Sequence, residues 1–309
     1  MRSGPLHGVS PLKGFISLVQ MFIGILQSFA LLLRRRPDAL LLTGGWVGLP
    51  VALAAWVLRI PSLIFVPDIE PGLTIRALRP FATRVAISVA ESARYFRPGH
   101  TIVTGYPLRG DVLSATREAG QAHFRLDPAR RTLLVFGGSR GARSINQALL
   151  AVLPALSTRD DLQIIHVTGT LDWDELQAHI QTLGRLPHYH SYPYLHRDMG
   201  LAFAAADLVV SRAGASILGE FPHFGLPSIL VPYPYAWRYQ KVNADYLASH
   251  GAGIVLKDDD MARDLLGTIG TLLDEPARLT EMRAAALALA QPEGARKAAE
   301  ALLGLAHEG

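Results

Sequence analysis

Two glycine-bearing runs have the residue types and spacing for chemistry. In the first, Thr132-Leu133-Leu134-Val135-Phe136 leads straight into Gly137-Gly138-Ser139-Arg140-Gly141-Ala142-Arg143, after which a helical pattern begins. A helix opening at such a turn offers unpaired backbone N–H groups to an anion, and glycines let the ligand approach the backbone closely. The same residues also read as a plain strand-to-helix turn that binds nothing, because α/β proteins contain many of them. Residues 137–141 match G-x-S-x-G, which would make Ser139 a hydrolase nucleophile on a strained elbow. That elbow normally follows several strands of one continuous sheet, whereas here it opens a new series of strands. A dinucleotide site fits less well, since the next strand ends in His166-Val167-Thr168-Gly169 with no acidic residue to take a ribose hydroxyl.

The second run is Asp207-Leu208-Val209-Val210-Ser211-Arg212-Ala213-Gly214-Ala215-Ser216, followed by Glu220 and by Gly225-Leu226-Pro227. It repeats the design of a strand end, a glycine turn and a helix start. Glu220 falls in the first turns of that helix, where its carboxylate could accept two ribose hydroxyl hydrogens. Without a ligand, it would simply interact favourably with the helix dipole. Two anion-type helix starts plus a carboxylate are what a nucleoside diphosphate needs. Among the histidines, His188 and His190 are spaced to share a face of a strand, but no third metal ligand stands near them, and His166 reads as a buried structural residue. Trp46 and Trp237 read as aromatics that pack loops beside the proposed turns.

The elements that must position these runs form two βα series. The first has apolar strand runs at 39–43, 62–66, 84–87 and 101–104, with Gly44-Gly45 and a helical stretch to Leu58 between the first two. The second has strand runs at 132–136, 162–167, 208–210, 228–231 and 253–256, and alanine-rich helices after Asp260 complete the chain. Residues 110–131 are polar, charged and without a strand signal, and the linker is placed there. The expected division is therefore an acceptor- and membrane-facing domain over residues 1–115 and a nucleotide-sugar domain over residues 116–309.

Charge is unevenly spread over the 309 residues. Residues 1–110 carry twelve Lys and Arg against four Asp and Glu, leaving −4 on the remainder of a chain whose net charge is +4. A basic first part suggests an anionic partner there, a membrane surface or a diphosphate, and the absence of an aromatic-interleaved basic module argues against nucleic acid. With no cysteine there is no disulfide framework, thiolate metal site or cysteine nucleophile. The segment 14–33 is long enough to cross a bilayer and is followed by Arg34, Arg35 and Arg36. Its Ser17, Gln20, Gly24, Gln27 and Ser28 nevertheless line one side of a helix, which favours a buried or membrane-surface helix over a span. A cleaved signal peptide fits poorly, because the basic flank lies on the wrong side.

Taken with Thr104-Gly105-Tyr106-Pro107-Leu108-Arg109, these two runs resemble the MurG family of peptidoglycan glycosyltransferases, and the likeness extends over essentially the whole chain. Gly44-Gly45-Trp46-Val47 resembles that family's glycine-glycine-aromatic-valine turn, and Pro71-Gly72-Leu73 the end of its acceptor-side loop. The resemblance implies a GT-B fold: two Rossmann-like doubly wound α/β domains with a cleft between them. It also implies inverting transfer of N-acetylglucosamine from UDP-N-acetylglucosamine to a lipid-linked muramoyl pentapeptide, without a metal or other cofactor, at the cytoplasmic face of the plasma membrane. By position, Arg109, Gly138 and Ser139 would meet the diphosphate, and Ala215, Ser216 and Ile217 would line the donor site. Glu220 would hold the ribose, Leu195 would flank the base, and Gln240 and Asn243 would read the sugar hydroxyls. Gly44, Gly45, Trp46 and Asp68 would lie on the acceptor side.

The sequence departs from the family pattern in three places. The family's opening strand, glycine-rich loop and acceptor-side histidine have no counterpart in the 309 residues, so the first domain is expected to be incomplete and the catalytic residue is unassigned. Phe65-Val66-Pro67-Asp68 replaces a His-Glu-Gln-Asn segment, and Ile217 and Tyr239 replace polar residues. The competing expectations are a related transferase with another lipid acceptor, a donor-binding subunit completed by a separate N-terminal polypeptide, a sugar-nucleotide epimerase on the same fold, and the serine hydrolase.

Overall fold

The computed structural model describes residues 11–138, 141–184, 186–235 and 239–308. Ser139 and Trp237 lie outside them. The chain divides into two units, one of residues 1–107 joined by 293–309, the other of residues 108–292.

The first unit opens with helix α1 (Pro11–Arg35) and strand β1 (Leu40–Leu42). It continues through α2 (Gly48–Val57), β2 (Ser62–Val66), α3 (Leu73–Leu78), β3 (Arg84–Ile87) and β4 (Thr101–Val103). The four strands are parallel and stand in the order β1-β2-β3-β4. All five β2 residues are buried because both sheet faces are covered. Ile64 and Val66 pack with Leu42, Ala52, Ile75 and Leu78, whereas Leu63 and Phe65 face Leu305 from the far end of the chain.

Helix α1 is turned inside out relative to a soluble helix. Its buried stripe is Ser17, Met21, Gly24, Ser28 and Leu32, and Leu32 reaches Ala54 and Ala55 of α2. Small side chains let two helices approach closely, and the Ser28 hydroxyl is satisfied by donating to the Gly24 carbonyl at 2.7 Å. Facing away are Ile16, Leu18, Val19, Phe22, Leu26, Leu31 and Leu33, all exposed. By length and composition the helix could cross a membrane.

In the second unit, α4 (Gly110–Leu113) and α5 (Arg117–Phe124) precede β5 (Arg131–Phe136), α6 (Arg143–Leu156), β6 (Leu162–Val167), α7 (Trp173–Thr182) and β7 (Tyr189–Tyr192). Then come α8 (Met199–Ala205), β8 (Leu208–Ser211), α9 (Ile217–Phe224), β9 (Ser228–Leu230), α10 (Tyr239–Ser249) and β10 (Gly253–Val255). Helices α11 (Met261–Asp274) and α12 (Pro276–Ala288) close it, and α13 (Gly294–Glu308) returns to the first unit. The six parallel strands run β10-β9-β8-β5-β6-β7. Leu133 and Val135 of β5 share a core with Ile145, Leu149 and Leu153 of α6 and with Leu265 and Ile269 of α11. Elsewhere Phe136, Phe203 and Phe221 meet edge to face, with centroids 5.6 to 6.3 Å apart, and fasten α8 and α9 to the end of β5.

The boundary falls at Pro107, ahead of the polar stretch read as a linker, and the last helix joins the first unit instead of closing the second. Residues 110–131 carry two helices because their packing relies on small residues. A Cβ at Gly120 would lie 2.3 Å from the Leu201 carbonyl oxygen of α8, and one at Gly200 would lie 2.9 Å from the Val112 Cα. Strand β7, absent from the strand series above, is a half-buried edge strand of sequence Tyr-His-Ser-Tyr with no apolar alternation.

Candidate functional site

Strand β5 is the first of its sheet. The chain then moves to β6 and β7 on one side and returns to β8, β9 and β10 on the other. The switch point of this open sheet therefore lies between β5 and β8, and ligands of such sheets bind beyond the carboxyl ends of the strands at that point. Phe136 is paired with Ser211, so both glycine runs leave the sheet at one level from neighbouring strands.

The first turn is built for close backbone approach. A Cβ at Gly137 would lie 2.2 Å from the Ala142 nitrogen, and one at Gly141, where φ is +79°, would lie 2.4 Å from the Thr168 oxygen. Gly138 has φ +92° and its carbonyl accepts from the Gly141 N–H at 3.0 Å. Neither α6, entered from Ala142, nor α9, entered from Ser216, has a side-chain cap on its first N–H groups. Behind the first turn, Asn146 donates to the Thr168 carbonyl at 2.9 Å and to Asp172 Oδ2 at 3.0 Å, which leaves its Oδ1 to accept from His166 Nε2 at 3.0 Å. The other ring nitrogen, Nδ1, accepts from the Tyr189 hydroxyl at 2.7 Å. Full burial pushes the His166 pKa down to about 3, so the ring is neutral, in the tautomer this chain of bonds requires.

At the second turn, the α9 N–H groups of Ile217, Leu218 and Gly219 turn back to the carbonyls of Gly214, Ala215 and Ser216. Glu220 is half-buried, and burial raises its pKa above the ordinary carboxylate value. A hydrogen bond from Ser216 and the positive charge of Arg109 oppose the rise. Arg109, far away in sequence, is thus brought beside Glu220. Its own side chain is 58 % exposed and makes a 3.4 Å ion pair with Asp111.

Other expected donor residues sit differently. Ile217 is 2 % exposed, so its side chain belongs to the core. Leu195 is buried at 7 %, whereas the neighbouring Tyr194 is exposed. Asn243 is wholly buried and donates to the Ala213 carbonyl at 3.2 Å, tying α10 to the second turn. Gln240 spends its side-chain oxygen on the Tyr233 N–H at 2.8 Å. In the first unit, Gly44 and Gly45, with φ +100° and +76°, form the turn from β1 into α2 with Trp46, and Asp68 follows β2. That same loop holds Glu70, 4 % exposed and paired with Arg76 at 2.8 Å, which the sequence reading missed although the loop itself was quoted. Also missed were Arg212, Ser144 and Asp258, a linked set beside the two turns. Its sequence signal is a charged residue placed directly after the strand Leu208-Val209-Val210-Ser211.

A groove of about 560 Å3 between α6 and α7, lined by Arg143, Gln147, Leu150, Asp172, Glu175 and His179 among others, involves neither β8 nor α9. Sheet topology, not cavity size, locates the site. Among the described residues, no group of three or more His, Cys, Asp or Glu side chains could hold a metal ion.

This architecture defines a class. Residues 132–302 match the glycosyltransferase family 28 C-terminal domain and residues 5–87 match the glycosyltransferase family 28 N-terminal domain; the chain belongs to that family and has the GT-B fold. It is 40 % identical over 334 residues to the UDP-N-acetylglucosamine--N-acetylmuramyl-(pentapeptide) pyrophosphoryl-undecaprenol N-acetylglucosamine transferase of Roseiflexus sp. (strain RS-1), covering 95 % of this chain and 75 % of that one. The same-named protein of Listeria monocytogenes serovar 1/2a is 35 % identical over 306 residues, 98 % of this chain and 82 % of that one. Among solved structures, Acinetobacter baumannii MurG aligns with a TM-score of 0.75 at 25 % identity, over 98 % of this chain and 84 % of that one. UDP-GlcNAc 2-epimerase from Neisseria meningitidis, bound to UDP-GlcNAc, aligns with a TM-score of 0.69 at 13 % identity, over 97 % and 83 %, which speaks to the fold alone.

Proposed function

We propose that this chain transfers N-acetylglucosamine from UDP-N-acetylglucosamine to the lipid-linked muramoyl pentapeptide of peptidoglycan synthesis, with inversion at the anomeric carbon. The observation that carries this reading is the pair of glycine turns that leave adjacent strands at the switch point and enter α6 and α9, neither helix with a side-chain cap, with Glu220 in the first turn of α9. The names of the family 28 relatives favour it over epimerase and hydrolase readings.

In this reading, negative charge grows on the diphosphate as the sugar–phosphate bond breaks. The α6 and α9 starts and the Arg109 guanidinium, fixed before the reaction, stabilise that charge at little reorganisation cost. Gly138 approaches the diphosphate, a role the family resemblance assigns to Ser139 as well; Ala215 and Ser216 line the donor, and the Glu220 carboxylate accepts from the ribose hydroxyls. Leu195 flanks the base, and Gln240, whose amide N–H2 still has donors to offer, faces the sugar. Ile217 and Asn243 act behind this surface. Gly44, Gly45, Trp46 and Asp68, at the carboxyl ends of β1 and β2, serve the acceptor. The outward apolar face of α1, with Arg34 to Arg36 at its C-terminal end, rests on the cytoplasmic face of the plasma membrane as a peripheral contact, from which a lipid-linked acceptor is drawn.

The test supplies radiolabelled UDP-N-acetylglucosamine with and without a lipid-linked muramoyl-pentapeptide acceptor. Acceptor-dependent formation of a labelled disaccharide lipid, with UDP released, is the expected result. Donor hydrolysis or epimerisation that ignores the acceptor would overturn the proposal.

A further inference from the structure

Arg212 is the first residue after β8, where the second turn begins, and is only 9 % exposed. Nη1 donates to the Val231 carbonyl at 3.2 Å, just past β9, and to Asp258 Oδ1. Nη2 donates to Ser144 Oγ at 2.6 Å, and Ser144 in turn donates to the same Asp258 oxygen at 3.0 Å. The guanidinium carbon also lies 5.2 Å from the Tyr233 ring centroid, and the Tyr233 N–H is the group that holds Gln240. One planar cation thus links four segments: the second residue of α6, the end of β9, the Tyr233 loop and the 3-10 turn that starts at Asp258 after β10.

A buried ion pair contributes little net stability, since the desolvation of both charges offsets their attraction. What an arginine adds is direction: a rigid fork whose donors point along fixed lines, so that groups bonded to it cannot move independently. Ser144 stands in the first turn of α6, and Arg212 leads into the turn that opens α9. The link therefore fixes one anion-binding helix start relative to the other.

We propose that Arg212 and Asp258, acting through Ser144, are a positioning set that holds the α6 and α9 starts at the separation a diphosphate bridges, without touching the donor. This rests on the donor reading of those two turns. It predicts an effect confined to the phosphates: a nucleoside, which does not span the turns, should not sense the link.

Calorimetric titration of the full chain with UDP and with uridine tests it, using Arg212→Lys, which keeps the charge and loses the fork, and the milder Ser144→Ala. Expected is a loss of UDP affinity of about tenfold for Arg212→Lys, and a smaller loss for Ser144→Ala, with uridine affinity unchanged in both. Equal losses for both ligands, or no loss for either, would overturn the proposal, because a generally loosened fold does not distinguish them. If Arg212→Lys does not fold, the same comparison on Ser144→Ala decides. A wild-type chain that binds uridine no more weakly than UDP removes the diphosphate reading of the turns, and the positioning role with it, whereas normal wild-type preference with an unchanged ratio in the variants removes the positioning role alone.

Discussion

At the residue scale, Glu220 carries opposing demands. Burial raises its pKa, so the folded protein holds that proton more tightly than the unfolded chain does. Between the ordinary carboxylate value and the raised one, stability therefore declines as pH rises, and at neutral pH the buried charge costs stability. Glu220→Gln should raise the melting temperature of the free protein at neutral pH while weakening donor binding; a lower melting temperature would show the carboxylate to be structural. Glu220→Ala should weaken UDP binding by about 1.5–3 kcal/mol, the range for a charge-assisted hydrogen bond, measured by calorimetry. His166 works in the opposite direction. Its pKa falls from 6.5 to about 3, so its contribution is present above pH 6.5 and is lost as the unfolded chain takes up the proton on acidification. Wild type should lose about 1–2 kcal/mol of this contribution between pH 7 and pH 5, and His166→Gln, less stable overall, should lose correspondingly less over that interval in urea titrations.

At the element scale, α1 is the clearest case of a helix whose pattern is inverted, with serines and a glycine inward and Phe22, Leu26 and Leu33 outward. Leaving that much apolar surface in water is unfavourable by roughly 25 cal/mol per Å2. Replacing Arg34, Arg35 and Arg36 by glutamine should weaken binding to anionic liposomes by about 1 kcal/mol per charge near the surface. Phe22→Ser with Leu26→Ser should weaken binding to neutral liposomes as well, because it removes apolar area and not charge. Sedimentation with vesicles measures both. Retention in the membrane fraction after high-salt and carbonate washes would identify α1 as a span.

At the scale of the whole molecule, the two units have separate sheets, and the candidate donor residues all fall within residues 108–292. UDP at a hundredfold excess over its Kd should stabilise that unit by about 2.7 kcal/mol through mass action. Hydrogen exchange should then slow at the turns after β5 and β8 and across α9. Unchanged exchange at both turns in saturating UDP would place the nucleotide elsewhere.

Much of this was legible in the residues themselves. A central strand such as β2 read directly, because a strand covered on both faces is a short, largely apolar run, and the first glycine turn read because only glycine fits at Gly137 and Gly141, where a Cβ would meet backbone. Three-dimensional packing alone could decide the rest. It showed α5 to be a helix docked through Gly120, β7 to be a polar edge strand, and α13 to belong with β2. It also turned Asn243 and Ile217 inward and joined Arg212 to Ser144 and Asp258. The physical reason is locality: a turn's backbone geometry and a strand's burial are written in consecutive residues, whereas which polar atom faces a ligand and which faces a buried partner depends on groups that only the folded chain brings within hydrogen-bond distance.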